Sequence, residues 1–541
     1  MPGAPAGTRA LRASPAPDAR PAPGPLTYTD AVAALSARGR FGIHLGLGRT
    51  RALLRALGDP QAGIRGALIA GTNGKGSVQA LVSAMLRAAG YRVGQAPKPH
   101  LVEYRERIVV DGIPIEPDDM AALVARTLAI ADRLPRRLGP PTEFEVVTAA
   151  AFAWFAERGV DVAVVEVGLG GRLDATNAWD GGVAAVTNVA MDHAELLGGT
   201  IPRIAREKAA ILKRGDLGVT GADGEALEVV RRRARRLGVP LAETAPLPVL
   251  GMDRHGVLVD VPGLGEVRIG LLGRHQAANA AVALGVVAAL ERAGIAQVPA
   301  AARREGLASA RWPGRLELIE LRGVGQPGTD RAGGAGRPGD EGPAIDPGRP
   351  GDEGPAIDLG LAIDPGRPVD LVLDGAHNPA GVRALVEALD ELRPSLAPGP
   401  VTLLLAIMRD KDVPGMVGHL ASSSALRDAR VVATQVTARG LEAGDLAAAW
   451  RMARAGSAGQ AGSSDSAGQA GAADSSDSAG WAGSSDSAGH PGPVDVIRAP
   501  EEALDHAIGQ ALAAGGPLVV AGSLYLVGAV RGMLQSRGLL R

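Results

Sequence analysis

Short, strongly apolar runs alternate along this chain with longer segments whose apolar residues recur every three or four positions. The runs at 67–70, 160–167, 183–187, 370–373, 401–406, 431–434 and 518–521 are rich in Val, Leu, Ile and Ala. A strand with one wet face alternates apolar and polar residues. Runs this uniform are buried on both faces, as in a parallel sheet covered by helices. The segments between them read as helices, one opening at Ser77 and closed by Gly90, another over 204–211. The pattern predicts an α/β chain with two successive units that divide near 313–317.

Two stretches break this alternation. Over 336–358 the segment GRPGDEGPAID occurs twice in tandem, from Gly336 and from Gly348. Over 455–491 the hexamer SSDSAG starts at Ser463, Ser475 and Ser484. Both are too polar to offset the entropy of ordering and too short in period to stack as solenoid repeats. They are expected to be disordered inserts at about 325–365 and 455–493. A further disordered tail is expected over 1–25, rich in Ala, Pro and Arg. The expected organisation is then a first domain over 26–315 and a second over 316–541.

Composition narrows the class. With 541 residues, 46% hydrophobic and 21% charged, the chain can build more than one ordinary core. Aromatics are only 2%, so aliphatic side chains must fill it. A net charge of -1 argues against a nucleic-acid partner. The absence of cysteine excludes disulfides and thiolate-held metals. No apolar run is long enough to span a membrane, and 1–25 lacks the apolar stretch of a signal peptide, so a cytoplasmic location is expected.

The first chemical signal is Gly71-Thr72-Asn73-Gly74-Lys75-Gly76-Ser77, between an apolar strand and a helix. Glycines there let backbone N–H groups approach phosphate oxygens, the helix N-terminus adds positive potential, Lys75 supplies a point charge, and the Ser77 hydroxyl suits magnesium. The spacing departs from the common phosphate loop, because Gly76 separates the lysine from the hydroxyl residue. Glu166 ends the run at 160–167, beside Gly168, Gly170 and Gly171. A carboxylate at a strand's carboxyl end lies where α/β sheets bind ligands, and its hard oxygen suits magnesium. Asp192-His193 follows another run and fits a metal or phosphate site or a purely structural role. Lys208, taken alone, reads as a solvated lysine paired with a neighbouring acid.

Together these segments resemble the folylpolyglutamate synthase/dihydrofolate synthase family within the Mur ligase superfamily. The resemblance starts at Phe41-Gly42-Ile43-His44-Leu45 and includes Pro99-His100-Leu101, Glu106-Arg107, Phe144-Glu145, and 166–177 from Glu166 through Asp174 to Asn177. It continues through Asp192-His193, Glu207-Lys208, His275-Gln276, Asn279 and Trp312-Pro313-Gly314-Arg315 to Asp374-Gly375-Ala376-His377-Asn378, Asp410-Lys411-Asp412 and Gly522-Ser523-Leu524-Tyr525. One departure is Lys98, where the family usually has Ser or Thr, in a loop near the pterin pocket of relatives.

The resemblance implies an α/β fold in which a P-loop ATPase-type domain with a parallel-rich sheet precedes a smaller Rossmann-like domain. It implies an ATP-dependent amide ligase that adds L-glutamate to folate or dihydropteroate through an acyl phosphate. Thr72, Asn73, Gly74, Lys75, Gly76 and Ser77 would hold ATP, with Asn279, Arg315, Asp374 and His377. Two Mg²⁺ ions would be held by Ser77 and Glu166 and by His193, with Lys208 joining as a carbamate. Lys75, His193 and Lys208 would serve the chemistry, and His100, Phe144, Glu145 and Thr176 the acid substrate. A monomer is expected. The alternatives are a Mur-type ligase acting on a peptidoglycan precursor, and a P-loop kinase or NTPase.

Overall fold

The computed structural model describes residues 26–39, 46–192, 197–321, 368–464 and 493–540. His193, the Phe41-to-Leu45 motif, the expected tail and the first insert lie outside the described residues, as does most of the second insert.

The first unit is built on an eight-stranded sheet. Its strands are β1 (Arg65–Ala70), β2 (Val93–Ala96), β3 (Val109–Val110), β4 (Ile113–Pro114), β5 (Val162–Glu166), β6 (Gly182–Val186), β7 (Leu217–Thr220) and β8 (Leu241–Glu243). Their order is β4-β3-β2-β5-β1-β6-β7-β8. From β2 to β8 every pairing is parallel, and only β3 and β4 run against their neighbours. The uniformly apolar runs are therefore buried on both faces, as their composition demands. β5 starts at Val162 rather than at residue 160, because the Val160 amide closes the turn after the helix Glu143–Glu157 by donating to Phe155 O at 3.0 Å.

The helix Lys75–Ala88 packs on one face through Val78, Leu81, Val82, Met85 and Leu86, all buried. Each such side chain contributes about 1.5–3 kcal/mol of burial, which fixes the helix N-terminus over the end of β1. A small antiparallel sheet follows, of β9 (Val249–Asp253), β10 (Gly256–Val261) and β11 (Gly265–Ile269) in the order β11-β10-β9. The sequence reading missed it, although Val257, Val259 and Val261 alternate with Leu258 and Asp260 and only the first set is fully buried.

The second unit has β12 (Glu317–Leu321), β13 (Val369–Leu373), β14 (Thr402–Leu405), β15 (Arg430–Ala433), β16 (Val494–Val496) and β17 (Leu518–Ala521). The order is β12-β13-β17-β14-β15-β16, parallel except for β12 on β13. Both sheets belong to the same α/β class, and both turn their carboxyl strand ends toward one cleft. The helix Ala443–Ser464 corrects one expectation, since it runs on past residue 455, where a disordered insert was expected to begin. Buried Ala443, Leu446, Ala447 and Trp450 anchor its first turns. No helix among the described residues is long and apolar enough to cross a membrane.

Candidate active site

The strand ends of the two sheets border one cavity of about 1120 Å³. In the first sheet the central strand β1 has β5 on one side and β6 on the other, so the loop after β1 opens at a switch in strand order, where α/β sheets bind ligands. Residues 71–77 form that loop and line the cavity throughout. Neighbouring strand ends hold it in shape. Thr187 Oγ1 donates to Asn73 O at 2.6 Å, the Asn73 amide donates to Asn188 Oδ1 at 2.9 Å, and the Ala190 amide donates to Thr72 Oγ1 at 3.0 Å.

All three glycines of the loop are required by close approach, Gly71 because a β-carbon there would strike the Thr187 side chain. Gly74 has φ 79, and a β-carbon there would strike the Asn279 side chain. At Gly76 a β-carbon would lie 2.6 Å from Cζ2 of Trp312. The unusual glycine between Lys75 and Ser77 thus makes room for an indole from across the unit. We expect Gly76→Ala to displace Trp312 and weaken nucleotide affinity about tenfold or more, checked by titration with ADP alongside a melting curve.

Lys75 Nζ donates to Gly71 O and Thr72 O, each at 3.1 Å, and lies 4.0 Å from Glu166 Oε1. Glu166 is buried at the end of β5, as its apolar neighbours implied. Burial raises its carboxyl above the usual range, opposed by Lys75, Lys98 and Arg315. Lys98 was seen only as a departure from the family pattern, yet it grips Glu166 twice. Its amide donates to Glu166 Oε2 at 3.3 Å and its Nζ to Glu166 O at 2.9 Å. Burial pulls the Lys98 ammonium down to about 8, against the attraction of Asp174 and Glu166.

Lys208 corrects its isolated reading as a solvated lysine. It is buried, and its Nζ donates to Gly71 O at 2.8 Å. No carboxylate among the described residues forms an ion pair with it. Burial, with the Lys75 charge beside it, lowers its ammonium to about 7. The helix Ile201–Ala209 presents Ile204, Ala205, Lys208 and Ala209 on its buried side, so position and not chemistry carried the lysine inward.

The second unit closes the other wall. The Asp374 carboxylate accepts from the Leu316 amide at 2.7 Å and the Ala376 amide at 2.8 Å. Leu316 has φ 45, a costly conformation for a branched residue, so Asp374 stabilises a strained link that aims Arg315. Arg315 Nη1 in turn donates to Gly375 O at 3.2 Å. His377 Nδ1 donates to Gly375 O at 2.8 Å, which leaves Nε2 as the acceptor of the neutral ring. Burial and the Arg315 charge hold that ring's pKa down at about 4. Asn378 Nδ2 spans the cleft to Asn73 Oδ1 at 3.2 Å, and Lys411 Nζ reaches Asp192 Oδ1 at 3.4 Å.

His275 and Asn279 border the cavity on the side of the helix Gln276–Arg292, where Asn279 Nδ2 donates to Gln276 Oε1 at 2.8 Å. Burial lowers His275 from 6.5 to about 4, with the Arg315 charge adding to it. The unfolded chain takes up a proton there near pH 6.5 and the folded chain does not. This contribution to stability is therefore full above pH 6.5 and is lost as pH falls from 6.5 toward 4. We expect His275→Gln to flatten the fall of Tm over that window relative to wild type, measured by calorimetry at several pH values.

Of the residues expected to hold the acid substrate, Phe144 lines the cavity, with Lys98 Nζ 4.8 Å from its ring centroid. His100, Glu145 and Thr176 do not line it, and each is occupied elsewhere. His100 Nδ1 accepts from Arg107 Nε at 2.8 Å and so positions Arg107, which does line the cavity. Glu145 caps its own helix by accepting from the Thr142 amide at 2.8 Å and pairs with Arg49 at 2.9 Å. Thr176 donates to Asp174 Oδ1 at 2.5 Å, and Asp174 braces the Gly168 and Leu169 amides at 3.0 and 2.9 Å. Arg107 was quoted in the sequence only within its motif; Arg383 and Arg439, also on the wall, had no local signal.

Comparison with known proteins agrees with this layout. The family described as Mur ligase middle domain matches residues 69–287, and Mur ligase, glutamate ligase domain matches 362–524. The chain is 34% identical over 403 residues to dihydrofolate synthase/folylpolyglutamate synthase of Bacillus subtilis, covering 73% of this chain and 82% of that one. It is also 34% identical over 430 residues to the protein of that name from Mycobacterium tuberculosis, covering 74% and 77%. The folylpolyglutamate synthase structure from Thermotoga maritima superposes with a TM-score of 0.68 at 28% identity, over 94% of this chain and 97% of that one. The Mycobacterium tuberculosis folylpolyglutamate synthase, solved with ADP and AMPPCP, gives 0.67 at 29%, over 93% and 99%. The chain therefore belongs to the folylpolyglutamate synthase/dihydrofolate synthase family of Mur ligases, a family of ATP-dependent ligases.

Proposed function

We propose that this chain joins L-glutamate to a folate-type carboxylate, that of dihydropteroate or of a folate already bearing glutamate, through an acyl phosphate. The observation that carries this reading is the meeting of the phosphate loop, Glu166 and Lys208 from the first sheet with Arg315, Asp374 and His377 beside the second around one cavity. A carboxylate is a poor electrophile and does not condense with an amine at neutral pH. Its oxygen attacks the γ-phosphorus of ATP, the bond to the β-phosphate oxygen breaks, and ADP leaves. The glutamate amine then attacks the acyl carbon, the C–O bond to phosphate breaks, inorganic phosphate leaves, and the nitrogen gives up a proton.

The chain's share of this is charge and position. Lys75 and the amides of 72–77 hold the phosphates, Asn279 the base side, and Arg315 the phosphates from the opposite wall. The two units enclose the reacting groups, so that water does not hydrolyse the acyl phosphate. Ser77 and Glu166 offer hard oxygens beside the loop. They would hold a magnesium ion, which is bound by one or two protein oxygens and the substrate's phosphates and keeps several waters. His193 and Lys208 would hold a second. Bound there, magnesium neutralises the charge of the transferred phosphoryl group. In this reading Lys208 is carbamylated: its neutral amine adds to the carbon of CO₂ and loses a proton. A buried amine that forms no ion pair among the described residues thereby becomes an anionic oxygen donor.

The test is whether purified protein releases ADP only when ATP, glutamate and either dihydropteroate or tetrahydrofolate are all present. Release that ignores glutamate would overturn the reading.

A further inference from the structure

The cations on the cavity wall are not equivalent. Lys75 has Glu166 within 4.0 Å, Lys411 has Asp192 at 3.4 Å and Arg107 has Glu143 at 3.7 Å. Lys98 has no acid side chain within ion-pair distance among the described residues. Its Nζ is held by the neutral Glu166 carbonyl at 2.9 Å and rests 4.8 Å from the Phe144 ring centroid. A half-buried ammonium that bonds one carbonyl and rests on a ring face, with Asp174 and Glu166 attracting it only from beyond ion-pair distance, keeps donors to offer an anion in the cavity it borders. Its place is also specific. The Lys98 amide binds Glu166 Oε2 at 3.3 Å while Lys75 Nζ lies 4.0 Å from Oε1 of the same carboxylate. An acid held by Lys98 is therefore one carboxylate away from the lysine of the phosphate loop. Phe144 and Pro99, both on the wall, give the aromatic part of such an acid an apolar surface.

We propose that Lys98 is a specificity-determining residue that binds the carboxylate about to be phosphorylated, with Phe144 beneath the aromatic part of the same molecule. This rests on the ligase reading above. The ammonium selects an ionised acid over its neutral isostere and places one carboxylate oxygen toward the phosphoryl donor. The acid arrives already aligned, so the interaction serves the acid substrate and not the nucleotide.

The experiment compares dihydropteroate with its carboxamide, each titrated calorimetrically onto the protein saturated with a non-hydrolysable ATP analogue. Wild type is expected to bind the acid about tenfold or more tightly than the carboxamide, as a charge-assisted hydrogen bond requires. Lys98→Met is expected to lose that preference while binding the carboxamide like wild type, and Lys98→Arg to keep most of it. A purely structural role for Lys98 predicts instead that Lys98→Met weakens both ligands alike. That result, or a wild type with no preference, overturns the proposal; the wild-type comparison stands even if the methionine variant does not fold. Turnover of wild type with the acid, ATP and glutamate, on the same preparation, tests the ligase reading. No turnover with either dihydropteroate or tetrahydrofolate overturns both, whereas turnover with an undiminished preference in Lys98→Met overturns only the role of Lys98.

Discussion

Replacing Lys75 with alanine is expected to reduce ADP release in the presence of a folate acid and glutamate by about 10²–10³-fold or more. The ammonium is the loop's only cationic side chain, and it stands between two loop carbonyls and the Glu166 carboxylate. In a site that excludes water, such a charge beside the transferred phosphoryl group weighs far more than at a surface. Folding should tolerate the change, because burial already disfavours the ammonium and lowers its pKa. Removing it relieves that desolvation while freeing two carbonyls and Glu166 from a partner. Tm is therefore expected to move by a few degrees while activity collapses. Full activity in the variant would remove the phosphate-loop assignment and with it the acyl-phosphate mechanism.

Lys208→Ala is expected to have the next largest effect, a loss of about 10²-fold or more in ligation that added acetate or formate partly restores. The site held by Lys208 is buried beside Gly71 O, which leaves room for a small guest once the side chain is gone. If the residue works as a carbamate, the missing group is an anionic oxygen donor, and a small carboxylate supplies one. If it works as an ammonium, methylamine should rescue and acetate should not. The two rescues therefore separate the charge states, and mass spectrometry of the intact wild-type protein under bicarbonate checks the modification directly. Rescue by the amine alone would overturn the carbamate.

Much of this site was legible in the chain. β17 matches its apolar run to the residue, β1, β14 and β15 shift only at their ends, and Glu166 closes β5 as its flanking glycines suggested. These are local facts, since strand burial and strand ends are written in consecutive residues. β2 was missed because Val93–Ala96 holds a glycine and a glutamine and lacks the uniform apolar character of its neighbours. The helix Ala443–Ser464 outruns its apolar face, so nothing in the Gly- and Ser-rich composition past residue 455 marks its continuation.

Neighbours in sequence were sufficient for the parallel sheets, for the glycine-rich loop between β1 and its helix, and for the place of Glu166 at a strand end. Tertiary structure alone decided the rest. It turned Lys208 inward onto Gly71, set the Trp312 ring over Gly76, and used Asp374 to steady Leu316. It also placed Lys98 against a carboxylate that is distant in the chain. These charges acquire their roles from desolvation and from partners that folding brings within hydrogen-bond reach, and neither property belongs to a residue read by itself.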